Sequence, residues 1–221
     1  MEFLSLRRRL ARRKGAAPRE LAEAWEQPLL RGATPVEYLP FLVCDAEMSG
    51  LDPKRDELLS IGWVAIDNAE LCLDSTAELL LKNESGVGQS ATIHRLRDCE
   101  LRDGLPLELA LRQFLRAATG RVLVFHNAAL DMAFLNRAAR RCWDLPLLLP
   151  CVDTLRVEER RLRLRNEPLT EGCLRLPDCR ARYGLGPHRG HAALTDALAT
   201  GELLLAQIAA RGSGLLLRDL R

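Results

Sequence analysis

Two carboxylates close an apolar run in Phe41-Leu-Val-Cys-Asp-Ala-Glu-Met-Ser-Gly50. Asp45 and Glu47 are two positions apart, and in a strand residues i and i+2 point to the same face. The spacing puts Phe41, Val43, Asp45 and Glu47 on one side, and Leu42, Cys44 and Ala46 on the other. Two ionised carboxylates side by side repel each other. Either one takes up a proton or a cation sits between them. Oxygen-only ligands suit Mg²⁺ or Mn²⁺ better than zinc. A solvated strand-to-turn junction would use the same residue types, because Asp and Gly are common in turns.

Two more carboxylates sit on separate elements. Asp131 falls in the first turn of an expected helix, a position that the helix dipole also favours for purely structural reasons. Asp196 follows His191 by five positions. Five helical steps turn the direction by about 140°, so the two do not share a helix face. Their cooperation requires His191 to stand before the helix, at the end of the glycine-rich run 184–190. His126 also precedes an Asp by five positions, but it ends a strand and reads as structural.

The elements that must carry these residues follow from periodicity. Strands are expected at 41–45, 58–66 and 71 to about 81, joined by short turns as an antiparallel meander. Leu107, Leu111, Phe114 and Leu115 have helical spacing within 106–118. A short strand, 121–125, is followed by a helix from 129 to about 142. A fifth strand is expected at 147–152, with Asp153-Thr154 capping the helix after it. Another helix is expected at 174–183. The last long helix runs to about residue 210, with Leu194, Leu198, Gly201, Leu205 and Ile208 as its buried stripe. Mixed strands and helices give an α/β protein, a mixed sheet with helices on its faces.

The 221 residues suffice for one sizeable core. They divide into a basic, helical N-terminal extension (1–40), a main domain (41–211) and a loose tail (212–221). Net charge is only +2, but residues 1–40 carry +3 and residues 155–190 carry +4, so the remainder carries −5. An acidic centre with basic margins fits a metal site that receives phosphates. Solvated helix faces would give the same distribution. The seven cysteines include no CxxC pair, which argues against zinc and against a disulfide framework. A reducing, cytoplasmic setting is expected. No uninterrupted apolar run approaches the ~18 residues of a membrane span, and the start lacks the apolar core of a secretory signal.

Three segments together resemble one family. Asp-Ala-Glu-Met-Ser-Gly at 45–50, His-Asn-Ala-Ala-Leu-Asp at 126–131 and His-Ala-Ala-Leu-Thr-Asp at 191–196 are similar to the three motifs of the DEDDh, or DnaQ-like, 3′–5′ exonucleases. That group includes the epsilon proofreading subunit of bacterial DNA polymerase III and ribonuclease T. The resemblance covers about residues 40–210. It implies an RNase H-like mixed five-stranded sheet flanked by helices. It also implies two Mg²⁺ or Mn²⁺ ions that serve removal of nucleotides from 3′ ends. By this resemblance Asp45, Glu47 and Asp196 hold the first ion, Asp45 and Asp131 serve the second, and His191 is the general base. Ala46, Ser49, Gly50, Leu51, His94 and Asn127 match positions at the substrate. Ser49 stands where many relatives have Thr, and keeps the hydroxyl. The implied partner is the 3′ end of a single strand, DNA rather than RNA, with a polymerase or repair protein as a further partner. An accessory, nucleic-acid-binding subunit is the competing reading. The tail shows no clamp-binding motif of the epsilon type.

Overall fold

The computed structural model describes residues 2–13, 15–83, 103–188 and 190–221. Its sheet has the order β3-β2-β1-β4-β5. β1 (Phe41–Met48), β2 (Leu58–Asp67) and β3 (Glu70–Leu80) form an antiparallel meander. Asn68 and Ala69 turn between β2 and β3 with positive φ at both positions, the geometry of a tight hairpin that follows the twist of its strands. β4 (Val122–Phe125) and β5 (Cys151–Asp153) run parallel to β1. The mixed five-stranded sheet of the sequence reading is therefore present.

The alternation read in β1 sorts its residues into two cores. Leu42, Cys44 and Ala46 belong to one buried cluster, with Trp63, Phe114, Phe134 and Leu135. Phe41 and Val43 belong to the other, with Val64, Ile66, Val124 and Leu204. The first face is covered by α2 (Arg19–Glu26), α3 (Leu107–Ala118) and α4 (Ala128–Trp143). The second is covered chiefly by α7 (Ala193–Arg211), which lies on β1 and β2. Asp45 and Glu47 share the α7 face, at the C-terminal end of β1.

Several expectations need correction. The strand expected at 147–152 shrinks to Cys151–Asp153. Leu147 to Leu149 are buried, but Leu148 has φ 51° and Pro150 has no N–H to give. Side chains take the place of a ladder. Asn136 Oδ1 accepts from Leu147 N–H, Trp25 Nε1–H donates to Leu147 O, and Arg8 Nε–H donates to Leu148 O.

The stripe on α7 is also displaced. Its buried residues are Ala193, Ala197, Ala199, Thr200, Gly201, Leu203, Leu204 and Gln207, whereas Leu198, Leu205 and Ile208 are only partly buried. Small residues face the sheet because the helix approaches it closely. By length and a mean hydropathy of 1.2, this helix could also cross a membrane. The tally by uninterrupted apolar runs missed that, because Asp196, Glu202 and Arg211 interrupt the helix. In this fold it packs on β1 and β2.

The ends of the chain are packed as well. Leu217 and Leu220, in a short 3₁₀ turn, are fully buried. Leu217 N–H donates to Thr34 O, Arg218 N–H to Gly32 O, and Val36 N–H to Leu215 O. The tail is thus not loose: it pairs with the segment before β1. From α1 (Glu2–Arg12) and α2, Ala11, Leu21, Ala24 and Trp25 enter the first core. Residues 1–40 thus pack on the domain as helices, although every motif lies beyond them.

Candidate active site

Asp45 and Glu47 reach the site because β1 ends there, and Asp196 arrives because α7 begins there. In the β1–β2 register Asp45 faces Gly62 and Glu47 faces Ser60. A side chain at position 62 would collide with the backbone of Ala193 and Leu194. Glycine in the middle of β2 thus admits the first turn of α7 against the strand. One ligand atom from each of Asp45, Glu47 and Asp196 falls in a group spanning at most 4.8 Å. Asp131 comes from the first turn of α4 and is almost fully buried.

The electrostatics of this group are unfavourable without a cation. Burial, and then the charges of Asp131, Asp196 and Glu47, push the Asp45 carboxyl well above its ordinary range. Burial also drives Asp131 up to about 8, although hydrogen bonds from its own backbone and from that of Ala46 oppose the rise. Glu78 adds a further negative charge. It pairs with Gly62, across from Asp45. Glycine leaves nothing between the two, and the sequence reading did not include Glu78. Carboxylates crowded around a buried one in this way fit a hard divalent cation, which removes the repulsion.

The histidines divide into three roles. His126 donates from Nε2 to Leu174 O at 2.8 Å, and its Nδ1 lies 2.8 Å from the Thr154 hydroxyl, which in turn reaches Phe125 O. Burial lowers its pKa, so the neutral ring is favoured and both nitrogens are engaged. That supports a structural role. His191 stands before α7, as cooperation with Asp196 requires, with φ 74° and an exposed side chain. Its backbone N–H donates to Asp196 Oδ2 at 2.8 Å. The other oxygen, Oδ1, meets His188 Nε2 at 2.8 Å. His188 was missed by the sequence reading. Its only signal is its place in the glycine-rich run before the third motif. Asp45, Asp196, His188 and His191 line one cavity of about 330 Å³, together with His126 and Leu176.

The loop that carries these histidines is held from below. Glu158, fully buried on α5 (Thr154–Leu164), accepts hydrogen bonds from Arg161, Arg182 and Tyr183. These bonds outweigh burial and keep its pKa down at about 2. Arg182 belongs to α6 (Leu176–Arg182), and Tyr183 follows it directly. Arg180 of α6 donates to Ala199 O and Gly186 O, which ties α6 to α7 and to the loop.

The expected substrate residues are placed unevenly. Ser49 and Glu57 close the β1–β2 turn: Ser49 N–H donates to Glu57 O, and Glu57 N–H to Ser49 Oγ, both at 2.9 Å. Gly50 faces the Asp56 carboxylate with no room for a side chain. Leu51 is 79% exposed at the tip of the turn. Ala46 turns its methyl group into the core. Asn127 has φ 83° at the start of α4 and is exposed. The backbone N–H groups of Asn127 and Ala128 donate to Asp153, which also caps α5 through Leu155 N–H. The capping of α5 was expected; the bond to the β4–α4 junction was not. His94 lies outside the described residues.

An exonuclease family model, that of the RNase T type, matches residues 42–204. The chain belongs to the DnaQ-like 3′–5′ exonuclease family. Members similar to it include a PolC-type DNA polymerase III of Thermotoga petrophila. The two are 31% identical over 169 residues, 76% of this chain and 12% of that one. The epsilon subunit of DNA polymerase III from Treponema pallidum is 28% identical over 173 residues, 78% of each chain. This exonuclease domain thus spans only a small part of the PolC-type relatives. Among solved structures, E. coli exonuclease I in complex with a dT13 oligonucleotide superposes with a TM-score of 0.64 at 18% identity, covering 76% of this chain and 40% of that one. Cell-death related nuclease 4 gives 0.68 at 11% identity, covering 81% of this chain and 66% of that one. At these identities the likeness shows the fold.

Proposed function

We propose that the protein is a metal-dependent 3′–5′ exonuclease that releases nucleoside monophosphates from single strands, DNA in preference to RNA. The observation that carries this reading is the convergence of Asp45, Glu47 and Asp196 within 4.8 Å in a member of an exonuclease family. Asp45, Glu47 and Asp196 would hold one Mg²⁺ or Mn²⁺, and Asp45 with Asp131 would serve a second. When bound, such ions lower the pKa of water and neutralise charge on a leaving oxygen. His191 is the general base. It lines the cavity that contains Asp45 and Asp196, and an imidazole is the side chain best suited to proton transfer near neutral pH. His126 is less suited to that task because both of its nitrogens are already engaged.

Ser49, Gly50 and Leu51 form the turn beside the carboxylates and would receive the terminal nucleotide, with His94 and the backbone of Ala46. Asn127 would meet the strand on the opposite side. The polymerase III relatives support a polymerase as the protein partner. Single-stranded DNA, duplex DNA and short RNA, each labelled at either end, test the proposal with Mg²⁺ and with Mn²⁺. The expected result is stepwise loss of a 3′ label as mononucleotide, fastest on single-stranded DNA. Internal cuts, or digestion from the 5′ end, would overturn it.

A further inference from the structure

α1 turns an arginine inwards and two leucines outwards. Leu4 and Ala11 pack on the first core, and Arg8 beside them is 6% exposed. Leu6 and Leu10 are 43% and 48% exposed on the outer side. Arg8 donates from Nε to Leu148 O and from Nη1 to Trp25 O. Among the described residues no carboxylate pairs with it. Burial, and then the charge of Arg12, lower its pKa to about 10. Nearby arginines on α3 differ, because Arg112 and Arg116 both meet Glu20.

Arg8, Arg9 and Arg12 line a groove of about 560 Å³ between α1 and the end of α2. Glu26, Gln27 and Leu29 supply its other side. Three arginines against one glutamate leave the groove with a net charge of +2. Glu26 forms no ion pair with any of the three among the described residues.

We infer that α1 and this groove dock a partner protein, through a segment that carries acidic side chains beside apolar ones. The inference goes beyond the exonuclease reading and does not depend on it. Charge is the first argument. A buried guanidinium without a counter-charge is costly, and a carboxylate entering the groove relieves it through a charge-assisted bond. The second is the order of the faces. Ser5, Arg8, Arg9 and Arg12 follow i, i+3, i+4, i+7 and share one stripe, and Leu6, Leu10 and Arg13 form the next. A segment lying across α1 meets both stripes. A polynucleotide would satisfy the arginines and leave Leu6 and Leu10 in water. A lipid surface would cover the leucines and leave the groove unfilled.

The third argument is place. Leu148, which Arg8 holds, precedes β5, and β5 runs parallel to β1 through β4. α1 therefore stands at the end of the sheet where β1 begins, whereas the carboxylates stand where β1 stops. A partner bound to α1 leaves the site open to a strand.

The test is fluorescence anisotropy on the full chain with a panel of labelled twelve-residue peptides. Each has two leucines three, four or seven positions apart, and two to four glutamates in an alanine background. The same peptides with glutamine for glutamate serve as controls. A thymidine 20-mer and vesicles of phosphatidylserine with phosphatidylcholine are run beside them. At least one acidic peptide should bind with a Kd below ~100 μM, and its glutamine form about 10-fold more weakly. Arg9→Glu with Arg12→Glu should weaken that peptide by about 10-fold or more. Leu6→Ser with Leu10→Ser should weaken it by about 5- to 20-fold. Neither pair should change Tm, and added salt should weaken binding as it screens exposed charges. Arg8 is left in place because it also holds Leu148. No peptide binding below ~1 mM, or binding that ignores both pairs of substitutions, would overturn the docking surface. Loss of 20-mer or vesicle binding in these variants, with the peptides unaffected, would overturn it equally and give α1 to nucleic acid or to lipid.

Discussion

A methyl group at position 62 would meet the backbone of Ala193 and Leu194, two residues short of the carboxylate that completes the site. Gly62→Ala should push back the first turn of α7 and carry Asp196 away from Asp45. Misplacement of about 1 Å can cost ~10²-fold in rate. We expect kcat/KM to fall by about that factor and Mn²⁺ binding to weaken in titration calorimetry; unchanged values would mean that α7 does not set the site. The two histidines of the loop should behave differently. His191→Ala should lose about 10²–10⁴ in kcat, as a missing general base does, while still binding Mn²⁺. His188 contacts Asp196 Oδ1 directly, so a cation that takes this oxygen must displace it. His188→Ala should therefore bind Mn²⁺ several-fold more tightly, and weaker binding would assign it a supporting role. Asp45 with Glu47, and His191 with Asp196, were legible in the sequence because each pair has a local spacing, and Asp131 because its motif resembles the family's second one. Gly62, Glu78, His188 and the bond of Asp153 to the β4–α4 junction were not, because each acts on a residue of another element that only the fold brings near.

At the scale of elements, buried polar bonds hold the catalytic loop from behind. Glu158 has a folded-state pKa of about 2 against an ordinary 4.5. A depressed carboxyl stabilises the fold fully above the unfolded pKa and loses this as pH falls through the folded value. The Tm advantage of the natural protein over Glu158→Gln should thus be complete above about pH 4.5 and shrink towards pH 2. Thermal melts at stepped pH check this, and a pH-independent difference would contradict it. Trp25 makes the complementary case on the first core. Its ring is buried and its Nε1–H bonds Leu147 O. Trp25→Ala should cost about 3–5 kcal/mol in denaturant unfolding, and a loss under about 1 kcal/mol would return α2 to the status of a detachable extension. The sequence showed α2 as helical by its composition. It could not show the docking, because the partner is an irregular segment whose Leu148 adopts a positive φ. The same segment reads as a strand by composition, and it is a strand only over its last residues.

For the whole molecule, an acidic site lies at the end of the sheet where β1 stops and α7 starts. The alternation in β1, the meander and the helix that follows β4 were all readable from periodicity. The packed tail was not, because Leu217 and Leu220 are buried only by pairing with residues 32–36, far away in sequence. The central claim is that Asp45, Glu47, Asp131 and Asp196 act through bound divalent cations at the 3′ end of a strand. The direct measurement is release of the 3′-terminal mononucleotide from a labelled single strand by exhaustively chelated protein, before and after Mn²⁺ is restored, with Asp45→Ala beside it. The expected result is no release without metal, full recovery with Mn²⁺, and loss of both metal affinity and release in the variant. Full release after chelation, or by Asp45→Ala, would contradict it.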